Sequence, residues 1–361
     1  MRFSRLQLSF VLLLFIGISN HVLILPHLLG IAKRDAWICI LIGYAILILW
    51  AVIFTLIFSK NKERVHLLTW LKLRTGKLIS YVIMFLFMLY ILVISFISLF
   101  DLIQTMHIYF LPMTSTWVII LPFLLLCIWA ASAGLKTIVY TSAVVLPIVW
   151  MLGYFVAFTT MEEKDYSYLF PIFSDDEASL LNGIVVVLGG SVDLLVLFLM
   201  QHYFNKPITY VYLFILITFL ISLILGPTMG SIASFGPSVA ENMRFPAFEQ
   251  WRLVTIGEMI SHVDSLAVFQ LLSGVVIRVT LCLFFIPEVF NIQSEKIKKI
   301  MIIVFAFCLM MAANYQISDI LVQKIIKEYF YKYSLLFGAG MTFLLLIISY
   351  LPRKKGLQKY E

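Results

Sequence analysis

Apolar residues fill this chain in long unbroken stretches, and charged positions are confined to the gaps between them. The stretches show no period-2 alternation, so they read as helices rather than barrel strands, the two forms that satisfy every backbone group in lipid. A helix needs about 20 apolar residues to cross ~30 Å of hydrocarbon. Stretches that meet or approach this length lie at 6–31, 36–59, 78–106, 116–132, 137–159, 179–202, 207–227, 264–288, 298–315 and 331–351. The pattern predicts an all-α polytopic membrane protein, ten transmembrane helices in a single domain covering residues 1–361. Arg2 and Arg5 give the first stretch the opening of a signal peptide. It runs on to Leu29, however, past the about 7–15 residues of a signal core and with no small-residue cleavage site, so it is read as a retained span.

Two of the stretches are interrupted in matching places. The first breaks at Gly17-Ile18-Ser19-Asn20 and the sixth at Leu188-Gly189-Gly190-Ser191-Val192-Asp193. Each opens a unit of five helices, approximately 6–159 and 179–351. Five is odd, so the units would be inverted relative to one another. Paired breaks in inverted halves point to a binding site at the membrane midplane of a transporter-type fold; close helix packing on small residues is the alternative. At such breaks, free amides and helix N-termini suit a carboxylate, while free carbonyls suit an ammonium or a cation. Gly17 and Gly189 would admit a ligand to the backbone. Ile18, Ser19, Asn20, Leu188, Gly190 and Ser191 complete the candidate ligand-binding set, with Tyr90 of the third span as an aromatic closure.

Composition reinforces this reading: 62% of residues are hydrophobic and 12% charged, with a mean hydropathy of +1.04. The net charge of +7 sets topology rather than nucleic-acid binding. With the N terminus inside, 17 of the 26 Lys and Arg residues fall in cytoplasmic segments and 8 on the other side, leaving Arg278 within a span. Both termini are therefore expected in the cytoplasm. Residues 60–77 are basic, and Trp70 and Leu71 suggest a short interfacial helix. Residues 160–178 form an acidic external loop. In 227–263, Gly226-Pro227, Gly236-Pro237 and Pro246 act as breakers. Cys39, Cys127, Cys282 and Cys308 lie in apolar spans without metal or disulfide spacing. No nucleotide loop, nucleophile elbow or zinc motif marks an enzyme, and no cofactor is expected.

Ionisable groups at membrane depth are functional candidates by default. Asp193 could accept an ammonium, carry a proton or hold a helix end. Arg278, mid-span, must face a partner or a wet cavity; it either replaces a coupling cation or pairs with Asp193 or Glu288. Asp101 is placed near the interface, and Asp264 as a helix cap.

Several stretches resemble the B subunits of endospore germinant receptors, the germination branch of the amino acid–polyamine–organocation transporter superfamily. They are Gln7-Leu8 through Gly17 to Leu25-Pro26, Arg34-Asp35-Ala36-Trp37, and Gly76-Lys77. The most extensive runs from Phe245-Pro246 through Glu249, Arg252 and Ile256-Gly257-Glu258 to His262-Val263-Asp264-Ser265. The likeness covers essentially the whole length. It departs at His262, where the family usually has arginine, and at Gln270-Leu271, where many members carry tryptophan. The resemblance implies a fold like that of the leucine transporter and a small germinant such as an amino acid. It also implies residence in the spore inner membrane with an A subunit and a C-subunit lipoprotein. A proton- or sodium-coupled amino-acid permease is the alternative.

Overall fold

In the computed structural model, the described residues are 2–174, 176–255, 263, 265–315 and 317–353, and the side chains of Ile18, Ser19 and Asn20 lie outside them. Asp264 and most of the 256–262 segment's resemblance to germinant receptors therefore fall outside the described residues.

Long apolar runs with no competing polar backbone partner fold as helices, and helices account for most of the described chain. Nine are long and apolar enough to cross a membrane among the described residues. The first runs from Arg5 to Lys60 and contains 56 residues, about 84 Å at 1.5 Å per residue. It comprises α1 (Arg5–Ile18), a π-helical segment (Ser19–Ile24), α2 (Leu25–Ala32), one 3-10 turn (Lys33–Asp35) and α3 (Ala36–Lys60). The regular winding is interrupted at Lys33, whose φ is 45°.

The short α4 (Leu67–Thr75) lies between α3 and α5 (Lys77–Tyr109), where the basic loop suggested an interfacial helix. Then come α6 (Thr116–Ala133) and α7 (Leu135–Thr159). The next crossing joins α8 (Glu177–Gly190), a 3-10 segment (Ser191–Leu195) and α9 (Val196–Met200). It is followed by α10 (Tyr210–Phe235), the short α11 (Pro237–Ala240) and α12 (Pro246–Arg252), then α13 (Ser265–Val289) and α14 (Glu295–Asn314). The last crossing is α15 (Asp319–Ile325), a π segment (Ile326–Phe330) and α16 (Tyr331–Tyr350), beginning well before the residue 331 expected from hydropathy.

Burial sorts these crossings. The window around α8 is 89% buried and that of α13 67%, whereas α6, α7 and α14 are between 22% and 28%. The outer helices present residues such as Leu125, Trp129 and Phe307 to their surroundings, which is stable where lipid is the solvent. Small residues let the central helices approach. A Cβ on Gly183 would lie 2.6 Å from Cys39 Sγ of α3, and one on Gly338 of α16 would lie 2.6 Å from Val192 Cγ2.

One expected breaker does not break. Gly226-Pro227 lies inside α10, which continues to Phe235 and stops at Gly236 with φ 74° before Pro237. Proline removes one donor and crowds one carbonyl. Gln250 of α12 braces the following turn, its Nε2 donating to the Pro227 carbonyl at 3.0 Å and to Ser231 Oγ at 2.8 Å. The acidic 160–174 segment is tied to the bundle: Asp165 N donates to Ala233 O at 2.9 Å, and Phe173 N to Asp35 Oδ1 at 2.9 Å.

Candidate functional site

Arg278 occurs among apolar residues of α13, so its guanidinium must find acceptors inside the bundle. Nη1 donates to Asp193 Oδ2 at 2.7 Å and to the Phe15 carbonyl at 2.7 Å, and Nε donates to Ser98 Oγ of α5 at 2.7 Å. The Phe15 ring lies 4.9 Å from the guanidinium carbon. Both side chains of the ion pair are 2% exposed. The other carboxylate oxygen of Asp193 accepts the Tyr90 hydroxyl at 2.7 Å, and the Tyr90 ring stacks on Phe337 of α16 at 5.2 Å. Asp193 is Arg278's partner; Glu288 instead receives the Tyr203 hydroxyl and Lys298. The group is neutral overall and joins α1, α5, α13, α16 and the 3-10 segment. A cation at this place would have to displace a guanidinium held by three acceptors.

Both sequence breaks remain helical with altered winding. Widening to π after Ile18 changes the hydrogen-bond register, and the Gly17 carbonyl is taken by His21 Nδ1 at 2.6 Å. In the second break, Ser334 Oγ donates to the Gly189 carbonyl at 2.8 Å, while Ser191 Oγ turns back to Val187 O at 2.7 Å. The two segments touch through Ile24 and Gly190: a Cβ there would lie 2.1 Å from Ile24 Cδ1. Gly189 faces the Tyr331 backbone, where a Cβ would come within 2.2 Å of the carbonyl oxygen. Leu188, Gly189 and Gly190 are thus buried at helix contacts, and Ser191 borders a space of about 10 Å³, room for about one water.

The large cavity lies on the other side of Gly17. It has a volume of about 410 Å³ and is bounded by α1, the π segment, α7, α10, α12 and α13. Gly17 and His21 form one wall; Trp150, Gly153 and Tyr154 of α7, Phe219 of α10, Trp251 of α12 and Gln270 of α13 form others. Lys164 stands at its rim, Nζ donating to Ala157 O at 3.2 Å, and burial lowers its pKa. A smaller space of about 50 Å³ shares His21, Ala247, Trp251 and Gln270 with it. Of the sequence-selected residues, Gly17 lines this cavity, whereas Tyr90, Asp193 and Arg278 form the neighbouring charge cluster.

Over this region the 241–252 segment is tied down by Arg244. Its Nη2 donates to Asp101 Oδ1 at 2.6 Å and its Nε to Asp319 Oδ2 at 3.2 Å, so Asp101 is a buried ion-pair partner rather than an interfacial group. Burial opposes the Arg244 charge, but the two carboxylates raise its pKa. Glu249 of α12 accepts the Tyr109 hydroxyl at 2.6 Å.

Sequence reasoning missed His21, Lys164, Gln270 and the aromatic face of α7. A histidine four residues beyond Gly17 was the available signal for His21. Trp150 and Tyr154 share a helix face at i, i+4 spacing, a pattern indistinguishable from a lipid-facing one.

Residues 3–320 match the family profile described as "Spore germination protein", the spore permease group. Spore germination protein XB of Bacillus anthracis is 34% identical over 313 residues, covering 87% of this chain and 88% of that protein. The profile match spans Tyr90, Asp193 and Arg278 and the helices that bound the cavity, and the chain belongs to the spore germination protein family.

Proposed function

We propose that this chain is the membrane subunit of a germinant receptor, binding a small amino-acid-like germinant in the cavity beside Gly17 and helping to trigger germination. The cavity is the observation that carries the reading. Its volume falls in the range of small-molecule sites, and its lining is mainly aromatic and aliphatic with few polar groups. Lys164 would receive a carboxylate at the rim, and His21 and Gln270 would orient the polar end. The Trp150 and Trp251 rings would bury an apolar side chain.

In this reading the 5–60 stretch crosses twice, turning at Lys33. That gives ten crossings, two inverted units of five and both termini in the cytoplasm, with irregular helices 1 and 6 as in the leucine-transporter fold. The location would be the spore inner membrane, and the partners an A subunit and a C-subunit lipoprotein. The alternative is a proton- or sodium-coupled amino-acid permease. Asp193, the group such coupling would use, has both carboxylate oxygens engaged and a fixed cation at one of them, which favours sensing over ion-coupled movement.

A cavity-filling substitution tests the reading. A Cβ on Gly153 meets only Gln270 Nε2, at 3.7 Å, so Gly153→Trp projects bulk into the cavity. Spores carrying it should keep the protein in the membrane while losing the germinant response by at least about tenfold in effective concentration, the equivalent of 1.4 kcal/mol. A wild-type dose response would reject the cavity as the site.

A further inference from the structure

The end of the bundle opposite the 160–174 segment carries a second group of chemically distinctive side chains. His66 precedes α4, His202 follows α9 and Glu288 lies in the last turn of α13, residues separated by 136 and 86 positions in sequence. Their ligand atoms all lie within 4.8 Å of one another. The two imidazoles meet edge to face with centroids 4.8 Å apart. His202 Nδ1 is buried and has no hydrogen-bond partner, an unusual state for a polar atom in a protein interior. Glu288 is 15% exposed, which leaves a route for an ion from the aqueous side.

Two imidazoles and one carboxylate are the donor set of open zinc sites, with water completing the tetrahedron. We propose that His66, His202 and Glu288 bind a divalent zinc-type cation, linking α4 to the ends of α9 and α13. Metal bonds of about 2.0–2.1 Å in a tetrahedron put donors about 3.3 Å apart, so small side-chain rotations must close the present cluster. The costs are also defined. His66 Nδ1 accepts from Leu68 N at 3.2 Å, capping α4; ligation through Nε2 places the ring proton on Nδ1 and gives up that bond. Lys298 Nζ lies 3.4 Å from Glu288 Oε1 and must yield it, while the Tyr203 hydroxyl remains on Oε2 at 2.9 Å. Lys72 is a further cation acting on His66.

The position gives the ion a mechanical consequence. α9 follows the segment holding Asp193, and α13 holds Arg278. A metal at their ends would fix a second point of contact between elements already joined by the buried ion pair. Its occupancy would restrain their relative movement and anchor α4 to both.

The test is zinc binding to the full chain in lipid nanodiscs, stripped beforehand with chelator and followed by calorimetry, with cobalt(II) absorption reporting imidazole coordination. Saturable binding of one ion per chain is expected, with a rise in unfolding temperature. His66→Ala and His202→Ala should each weaken it by at least about 100-fold, more than loss of an outer-shell partner typically costs. Unfolding temperatures in chelator establish that each variant is folded. Lys298→Gln provides an arm independent of any ligand loss: removing the competing ammonium should tighten zinc binding at least about threefold. No saturable binding by the wild type, or binding indifferent to both histidines and to Lys298, overturns the proposal.

Discussion

A guanidinium cannot discard its charge by deprotonation in a protein, so Arg278 has to be satisfied where it stands. Its position amid Val276, Ile277 and Val279 made that requirement legible in sequence, and Asp193 was one of two partners open to it. Ser98 and the Phe15 carbonyl were not legible, because a serine in a membrane helix is commonplace and a backbone carbonyl has no residue signature. Breaking a buried pair by removing one member typically costs about 3–5 kcal/mol, since the other charge is left unpaired. Arg278→Met alone and Asp193→Asn alone should therefore each lower the unfolding temperature and membrane level markedly. The double variant should recover a substantial part of the loss, as expected of directly coupled residues. Strict additivity of the two losses would contradict the pairing. Arg278→Lys should be intermediate, because an ammonium reproduces the charge but not the planar donor set.

At the scale of the elements, glycine clusters marked where the two helices would be irregular, but not what form the irregularity takes. The chain stays helical because His21 and Ser334 take the carbonyls released at Gly17 and Gly189. Ser334 lies 145 residues from its acceptor, a distance at which local pattern has no information. Gln250 reaches the Pro227 carbonyl from 23 residues away, a contact that the local Gly226-Pro227 pattern, read as a stop, does not reveal. Gly189→Ala is predicted to be strongly destabilising, since its Cβ would meet the Tyr331 carbonyl oxygen at 2.2 Å and backbone cannot rotate aside. Gly340→Ala in α16 has nothing within 4 Å of its Cβ and should be neutral or stabilising by up to about 1 kcal/mol. Thermal unfolding of the two variants in detergent checks the pair; equal effects would remove the packing account of Gly189.

For the whole molecule, hydropathy located nearly every crossing, because a membrane imposes both length and apolarity. The cavity was out of reach: its walls come from α1, α7, α10, α12 and α13, and only their packing brings them together. The proposed topology can be read with cysteines in a background where Cys308, the exposed native cysteine among the described residues, is replaced by serine. Glu163→Cys should react with an impermeant thiol reagent from outside, and Lys62→Cys only after permeabilisation. The reverse pattern would invert the orientation. Arg244 holds the 241–252 segment to α5 and α15 by salt bridges to Asp101 and Asp319. Arg244→Gln should loosen that cover, seen as faster hydrogen exchange across α12 with α14 unchanged; unaltered exchange would deny it a restraining role.

The most direct measurement is equilibrium binding of the proposed amino-acid-like germinant to the purified chain in nanodiscs, with and without sodium, for wild type and Gly153→Trp. Saturable binding that is indifferent to sodium, and weakened by at least about tenfold when the cavity is filled, is the result expected of a sensor whose cation is Arg278. Sodium-dependent binding that survives Gly153→Trp would contradict both the cavity as the ligand site and the arginine as a fixed substitute for the ion.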